Sequence, residues 1–374
     1  MRKLCVVMPS RWEAGGGGAQ YQVKCLIDAL SQQEGLEIYY LTRDPEGAEQ
    51  QDGYRLVNIA GSGHLAGYNR LFLDSRRLYR KLVEIEPDCV YLRGLTSYAG
   101  VAARYAKSNG CRQVLHVAHD YEVTPLREQV SPLMAGFKPF VRIERAIGEY
   151  GLRHSDFIIA QTTHQAGLVE KYFSRNADAV IGNFHPPAQE VIEKNGSGRC
   201  SIVWVANLKP FKQPEVFVGL AEALAGRVDM EFLMVGDAGG GRYAGLFERI
   251  EALPNLSYLG PLPISKVNQI LAESDIFVNT SSAEGFPNTF IQAWMREVPV
   301  ISLGVDVDGI LADGEAGFKA HSVEELKSLV ERLAGDQELR RTLGVRGRRL
   351  AEQRFSTNRI MELTRIVVDL IDGK

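Results

Sequence analysis

The residues best suited to chemistry lie in one run, Ser281 to Val300, reading SSAEGFPNTFIQAWMREVPV. A strand-like segment, Asp275 to Asn279, leads into a small polar loop. An acid follows at Glu284, then Gly285-Phe286-Pro287 and a helix-like stretch ending before Val298-Pro299-Val300. Pro287 fits the first helical position, because the N–H it lacks is one that a helix start leaves unsatisfied. The other amides of that turn, around Gly285, Asn288 and Thr289, together with the positive dipole end, suit a diphosphate or another anion. A carboxylate just outside accepts hydrogen bonds and donates none, which suits sugar hydroxyls. A nucleotide-sugar is the ligand to look for.

Three other segments carry reactive or permissive residues. Trp204-Val205-Ala206 runs into Asn207-Leu208-Lys209-Pro210-Phe211-Lys212-Gln213-Pro214. A lysine just before a helix, in a strand-end loop, can neutralise a leaving diphosphate, whereas most lysines are simply solvated. Near the start, Gly15 to Gly18 precede a helix; glycines let a backbone approach a phosphate or sugar closely, or merely turn. A dinucleotide fingerprint needs a third glycine three residues after the second, and Gln20 or Tyr21 stands there, which disfavours NAD. His116-Val117-Ala118-His119-Asp120 ends a further strand candidate. Residues three apart on a strand face opposite ways, so His116 and His119 are poor joint metal ligands, and no metal site is expected. His119 reads either as a histidine bonded to backbone or, with Asp120, as an edge of the ligand site.

These loops need strands to place them. Short apolar runs alternate with amphipathic stretches, the pattern of βα units and parallel sheets. The strands expected are Leu4–Met8, Glu37–Leu41, Cys89–Leu92, Gln113–Val117 and Phe157–Ala160 in the first half. In the second they are Ser201–Ala206, Glu231–Val235, Ser257–Leu259, Ile276–Asn279 and Val300–Leu303. Helices are expected at Leu71–Ile85, Pro214–Ala225, Ser265–Ala272 and Glu324–Leu333. The fold class is α/β: two Rossmann-like, doubly wound domains facing across a cleft, with ligands at the carboxyl ends of the strands. The domains are placed at 1–185 and 200–355, with a Pro/Gly-rich linker at 186–199 and a C-terminal helix in 356–374 packing back on the first domain.

Composition bounds the rest. At 374 residues, with 45% hydrophobic and 24% charged residues, the chain is an ordinary two-domain globular protein. A formal charge of −3 argues against a dedicated nucleic-acid partner. Five scattered cysteines without a Cys-x-x-Cys pair read as reduced thiols of a cytoplasmic protein. No apolar run approaches the ~20 residues that span a bilayer. Two basic stretches, Arg70 to Lys81 and Arg340 to Arg349, are either solvated faces or a peripheral contact with the inner face of the cytoplasmic membrane.

Taken together, these residues resemble the family 4 glycosyltransferases, which have the two-domain GT-B fold. The likeness covers nearly the whole chain and is strongest between residues 200 and 320. Its most specific part is Ser282-Ala283-Glu284-Gly285-Phe286-Pro287 with a partner position at Gln292. Supporting echoes are Gly17-Gly18-Ala19, His119-Asp120, Gly182-Asn183, Lys212, Val235-Gly236-Asp237 and Tyr258-Leu259-Gly260. The extended form EGFPNTFIQAW, with Asp306-Val307-Asp308-Gly309, is similar to members that build bacterial surface polysaccharides. Two positions depart: Gln292 replaces the second glutamate of the pattern, and Asn207 stands where many relatives carry an arginine.

The resemblance implies a retaining, metal-independent transferase that moves a sugar from a UDP- or GDP-type donor to a hydroxyl of a glycan or lipid-linked glycan. Glu284 would meet the donor sugar, and Gln292, five residues into a helix that starts at Pro287 and so about 7–8 Å along its axis, the ribose. Lys212, Lys209 and the amides around Gly285–Thr289 would take the diphosphate charge. Gly17, Gly18, Asn207, Gly236, Phe286, Pro287 and Asn288 would complete the donor site. His119 and Asp120 would act near the acceptor, with Arg93, Tyr98 and Tyr121 shaping that region. The alternatives are a nucleotide-sugar epimerase or hydrolase of the same fold, and a non-catalytic sugar-nucleotide or glycan-binding subunit.

Overall fold

The computed structural model describes residues 1–12, 17–43, 50–51, 53–60, 68–125, 138–186, 198–239 and 241–373. Gly15, Gly16, the side chain of Arg70 and most of the 186–199 segment lie outside the described residues. Internal contacts divide the chain into two units, Met1–Asn183 with Asn358–Lys374, and Phe184–Thr357.

The first unit is built on a sheet of eight strands among the described residues. They are β1 (Arg2–Val7), β2 (Leu36–Thr42), β3 (Gln50–Gln51), β4 (Tyr54–Asn58), β5 (Cys89–Arg93), β6 (Arg112–His116), β7 (Phe157–Ala160) and β8 (Ala179–Val180). Their order is β3-β4-β2-β1-β5-β6-β7-β8. Only β3 runs antiparallel to its neighbour. The apolar runs of β1 and β5 are buried along their length because helices cover both faces of a parallel sheet. The helix Asn358–Ile371 belongs to this unit. It buries Ile360, Leu363 and Val367, and the following Asp372 pairs with Arg2 at 2.9 Å.

Among its described residues the second unit has six parallel strands: β9 (Cys200–Val205), β10 (Met230–Val235), β11 (Leu256–Tyr258), β12 (Ile276–Asn279), β13 (Val300–Leu303) and β14 (Gly317–Ala320). The order is β11-β10-β9-β12-β13-β14. Side chains alternate between two cores, Ile202 and Trp204 on one face of β9 and Val203 on the other. The order reverses between β9 and β12, whose next neighbours lie to opposite sides. Doubly wound sheets bind ligands at such a switch point, outside the carboxyl ends of the strands. The loops after β9 and β12 therefore flank the favoured place.

Three expectations are corrected. Leu71–Ile85 is not one helix: a 3-10 segment, Tyr68–Asp74, precedes an α-helix at Ser75–Ile85. Side chains cause the break. Buried Asp74 is held by Arg43 at 2.9 Å and Tyr98 at 2.7 Å, and the Phe72 amide donates to Glu144 at 2.9 Å. Tyr98, expected near the acceptor, is thus a core residue, and burial raises its pKa. Finally, Pro287 (φ −68°, ψ 114°) precedes the helix Asn288–Trp294 instead of opening it, because its extended ψ keeps it out of the first turn. Among the described residues, no helix is long and apolar enough to cross a membrane. In the second basic stretch Arg341 and Arg348 pair with Glu338 and Glu352 at 2.8 Å, and Arg340 approaches Asp275 at 3.7 Å.

Candidate functional site

The loops after β9 and β12 are stitched together beside their charged residues. The Thr280 hydroxyl accepts from the buried Trp204 indole at 2.9 Å and reaches the carbonyls of Lys212 and Gln213 at 2.7 and 3.0 Å. The Ser282 amide donates to the Phe211 carbonyl at 2.8 Å. Gln213 adopts a left-handed φ of 48° that ends the 3-10 turn Pro210–Lys212 and starts the helix Pro214–Ala223. Asn279 accepts from the Ser281 amide at 2.7 Å, turning the chain out of β12.

This stitching delivers Lys212 Nζ to Glu284 Oε1. Glu284 is only 9% exposed and also accepts from Ser281 Oγ at 2.7 Å, again on Oε1. Its second oxygen, Oε2, accepts from no described residue. The Lys212 ammonium lies 5.4 Å from the centre of the Phe211 ring. Lys209 shares the cluster. It is exposed over much of its surface, and its pKa is lowered first by partial burial and next by Lys212, with Glu284 opposing. A carboxylate beside two lysines is an arrangement that can bind a hydroxyl next to an anion.

The neighbouring loops have structural tasks. Asn207 Oδ1 accepts from the Asp237 amide at 3.3 Å, and Leu208 N–H donates to the Asp237 carbonyl at 2.8 Å. With the Asn207 oxygen so engaged, Lys209 and Lys212 are the cations of this loop. Gly236 (φ 153°) crosses the β9 loop so closely that a Cβ would sit 1.7 Å from the Ala206 carbonyl oxygen. Its N–H and C=O are both satisfied internally, by Gly260 and Tyr258.

Beyond Glu284, Phe286 is a core side chain whose ring meets Phe355 at 4.8 Å. The Phe290 amide donates to the Pro287 carbonyl at 3.1 Å, while those of Gly285 and Thr289 have no backbone partner among the described residues. Gln292 is buried in the helix Asn288–Trp294 and donates from Nε2 to Asn268 Oδ1 at 2.8 Å. Thr280, Ser281, Trp204 and Asn268 are given no part in the site by the sequence, although Trp204 and Ser281 fall in the segments it singles out.

The remaining expected residues lie in the first unit. Gly17 precedes the helix Gly18–Leu30 with an ordinary φ of −87°, and its amide donates to Gln20 Oε1 at 3.0 Å. His119 is half-buried, its ring centre lies 3.9 Å from that of Tyr121 in a tilted contact, and it accepts from the Tyr121 amide at 3.3 Å. Asp120 accepts from Gln165 Nε2 at 2.9 Å. His116 is a core residue between the Tyr91 hydroxyl (2.8 Å) and the Ile181 carbonyl (3.1 Å). Burial, then Arg93, pushes its pKa well down. Arg93 is itself buried and donates to Asn183 at 2.6 Å. Among the described residues, no group of three or more His, Cys, Asp or Glu is arranged to hold a metal ion.

Two Rossmann-like units with this strand-end chemistry define the GT-B class of glycosyltransferase, and comparison with known proteins agrees. Residues 16–203 match the profile described as "Glycosyltransferase Family 4", and residues 199–336 that of "Glycosyl transferases group 1". The chain belongs to glycosyltransferase family 4. An uncharacterized glycosyltransferase of Methanocaldococcus jannaschii, MJ1178, is 22% identical over 98% of this chain and 99% of its own. The capsular polysaccharide biosynthesis glycosyltransferase CapM of Staphylococcus aureus is 36% identical over 104 residues, 27% of this chain and 26% of CapM. Among solved structures, sucrose-phosphate synthase of Thermosynechococcus elongatus shares the fold over 100% of both chains (TM-score 0.81, 15% identity). Anabaena HepE, solved in complex with UDP-glucose, does so with a TM-score of 0.74 and 17% identity, again over 100% of both chains.

The geometry at Gly236 yields a stability prediction. Gly236→Ala should lower the unfolding free energy by about 2–4 kcal/mol, through strain at positive φ and overlap with the Ala206 carbonyl. Denaturant titration measures it; a loss under ~1 kcal/mol would show that the two loops can separate.

Proposed function

We propose that this glycosyltransferase moves a sugar, with retention of anomeric configuration, from a nucleoside-diphosphate sugar to a hydroxyl of a glycan or lipid-linked glycan. The proposed setting is cytoplasmic synthesis of a surface polysaccharide. The observation that carries the reading is the Lys209–Lys212–Glu284 cluster at the switch point of the second sheet. The UDP-glucose bound by HepE and the capsular role in CapM's name support the donor and acceptor classes.

In this reading Glu284 Oε2 accepts from a donor-sugar hydroxyl, while Lys212 and Lys209 face the diphosphate with the Gly285 and Thr289 amides. Gln292 meets the ribose. His119 and Asp120 serve the acceptor from the first unit, and Gly17 and Gly18 leave room for the donor. The bond from the anomeric carbon to the phosphate oxygen breaks as the bond to the acceptor oxygen forms. The acceptor's proton passes to the departing phosphate oxygen, so no pair of carboxylates need act as acid and base, as a glycosidase requires. Positive charge held in place before the reaction stabilises the departing anion without reorganisation.

A thermal-shift panel of UDP-, GDP-, ADP- and CMP-sugars tests the donor class: one should raise the melting temperature selectively. With that donor, Lys212→Ala should cut turnover by about 10²-fold or more. Near-wild-type turnover in folded variant would remove Lys212 from the reaction, and donor breakdown without any acceptor would favour a hydrolase or epimerase. The lowered pKa of Lys209 sets a second expectation. Its share of diphosphate affinity should disappear as pH rises through that lowered value, before a free lysine would titrate. Lys209→Arg should flatten this alkaline limb, and an unchanged limb in that variant would assign it to another group.

A further inference from the structure

Gln292 stands where the family pattern has a glutamate, and its amide has a defined partner. Nε2 donates to Asn268 Oδ1 at 2.8 Å from the helix Asn288–Trp294 to the helix Ile264–Glu273. The backbone beneath is also held, since the Gln292 carbonyl accepts from Arg296 Nη1 at 2.9 Å. Oε1 accepts from no described residue. A free glutamine head can present either its oxygen or its NH2 group by a half-turn about the last bond. In the structure Asn268 turns its acceptor, Oδ1, to the NH2 side, which favours one of those choices.

We propose that Asn268 is a positioning residue of the donor site: it holds the Gln292 amide so that Oε1 faces the ribose hydroxyls. The chain thereby keeps an acceptor at a position where the family pattern supplies a carboxylate, without its charge. This rests on the reading that Gln292 meets the ribose of the donor. Pairing rules follow from the donor and acceptor inventory. Gln292 with Asn268 works as found. Gln292 with an aspartate at 268 keeps the same orientation, since the carboxylate can only accept. A glutamate at 292 is tolerated if Asn268 turns to donate. A glutamate at 292 facing an aspartate at 268 leaves two acceptors opposed.

The test uses the full chain and calorimetry with whichever of UDP, GDP, ADP and CDP stabilises it most, against the 2′-deoxy form of that nucleotide. Asn268→Ala should weaken the ribonucleotide about 5-fold while barely changing the deoxynucleotide, so the preference for ribose collapses. Asn268→Asp should restore the preference, which a purely structural role for Asn268 would not require. Adding Gln292→Glu to Asn268→Asp should lose about 10-fold at pH 8, with recovery as pH falls and one carboxylate takes up a proton. Melting temperatures without ligand report whether each variant folds. A full ribose preference in Asn268→Ala would overturn the proposal. So would its loss in Asn268→Asp, because the NH2 side would then be the one facing the nucleotide. Equal binding of ribo and deoxy forms by the unmodified protein would remove Gln292 from the ribose. Binding of none of the four would sink the nucleotide-sugar reading itself, and this proposal with it.

Discussion

The contact between Lys212 and Glu284 is the constraint around which the second unit is arranged. A carboxylate and an ammonium taken largely out of water are costly unless they face each other with good geometry and extra hydrogen bonds. The protein meets that condition by joining two loops that leave adjacent strands, β9 and β12. Trp204, deep in the core, fixes the Thr280 hydroxyl; that hydroxyl fixes the backbone of Lys212 and Gln213; Ser281 completes the partners of Glu284 Oε1. Rigidity of the sheet is thus passed to a charged pair at its carboxyl edge. A hydrophobic pair of similar volume would serve stability as well, so the charges point to a task beyond folding.

The two side chains of the Glu284 and Gln292 pattern are treated alike. Each has one half of its polar head engaged by the protein, Glu284 through Lys212 and Ser281, Gln292 through Asn268. Each is left with an oxygen that no described residue occupies. A site that must recognise hydroxyls needs acceptors held still, because an acceptor free to rotate loses side-chain entropy each time it binds. The arrangement that Glu284 and Gln292 share is therefore one of oriented oxygens.

Much of the fold was legible from apolar runs. Ile276–Asn279, Val300–Leu303 and Phe157–Ala160 are strands with the bounds that their hydrophobic stretches mark. Less legible were β4, β8 and β14, because short or outer strands carry mixed residues: Tyr54–Asn58 includes Arg55 and Asn58, and Gly317–Ala320 includes Lys319. The break at Asp74 was hidden because an apolar spacing continues through it, while the cause is contact with Arg43, Tyr98 and Glu144 far along the chain. In the candidate site the charged ends, Lys212 and Glu284, could be picked out by residue type and loop position. Their supports could not. Thr280 meets Trp204 across 76 residues and Asn268 meets Gln292 across 24, and neither pairing leaves a local pattern. Gly236 drew notice as a ligand-facing glycine, whereas its close approach to Ala206 gives it a packing role.

The most direct measurement compares folding stability with sugar transfer in one variant, Lys212→Met combined with Glu284→Gln, which removes both charges and leaves no orphaned ion. If the pair exists for the reaction, denaturant titration should place the variant within about 2 kcal/mol of the unmodified protein. Its transfer rate per folded molecule should then fall by at least about 10²-fold. A folded variant that still transfers sugar within a few-fold of the normal rate would contradict the central claim, and the clasp between β9 and β12 would be no more than a structural tie.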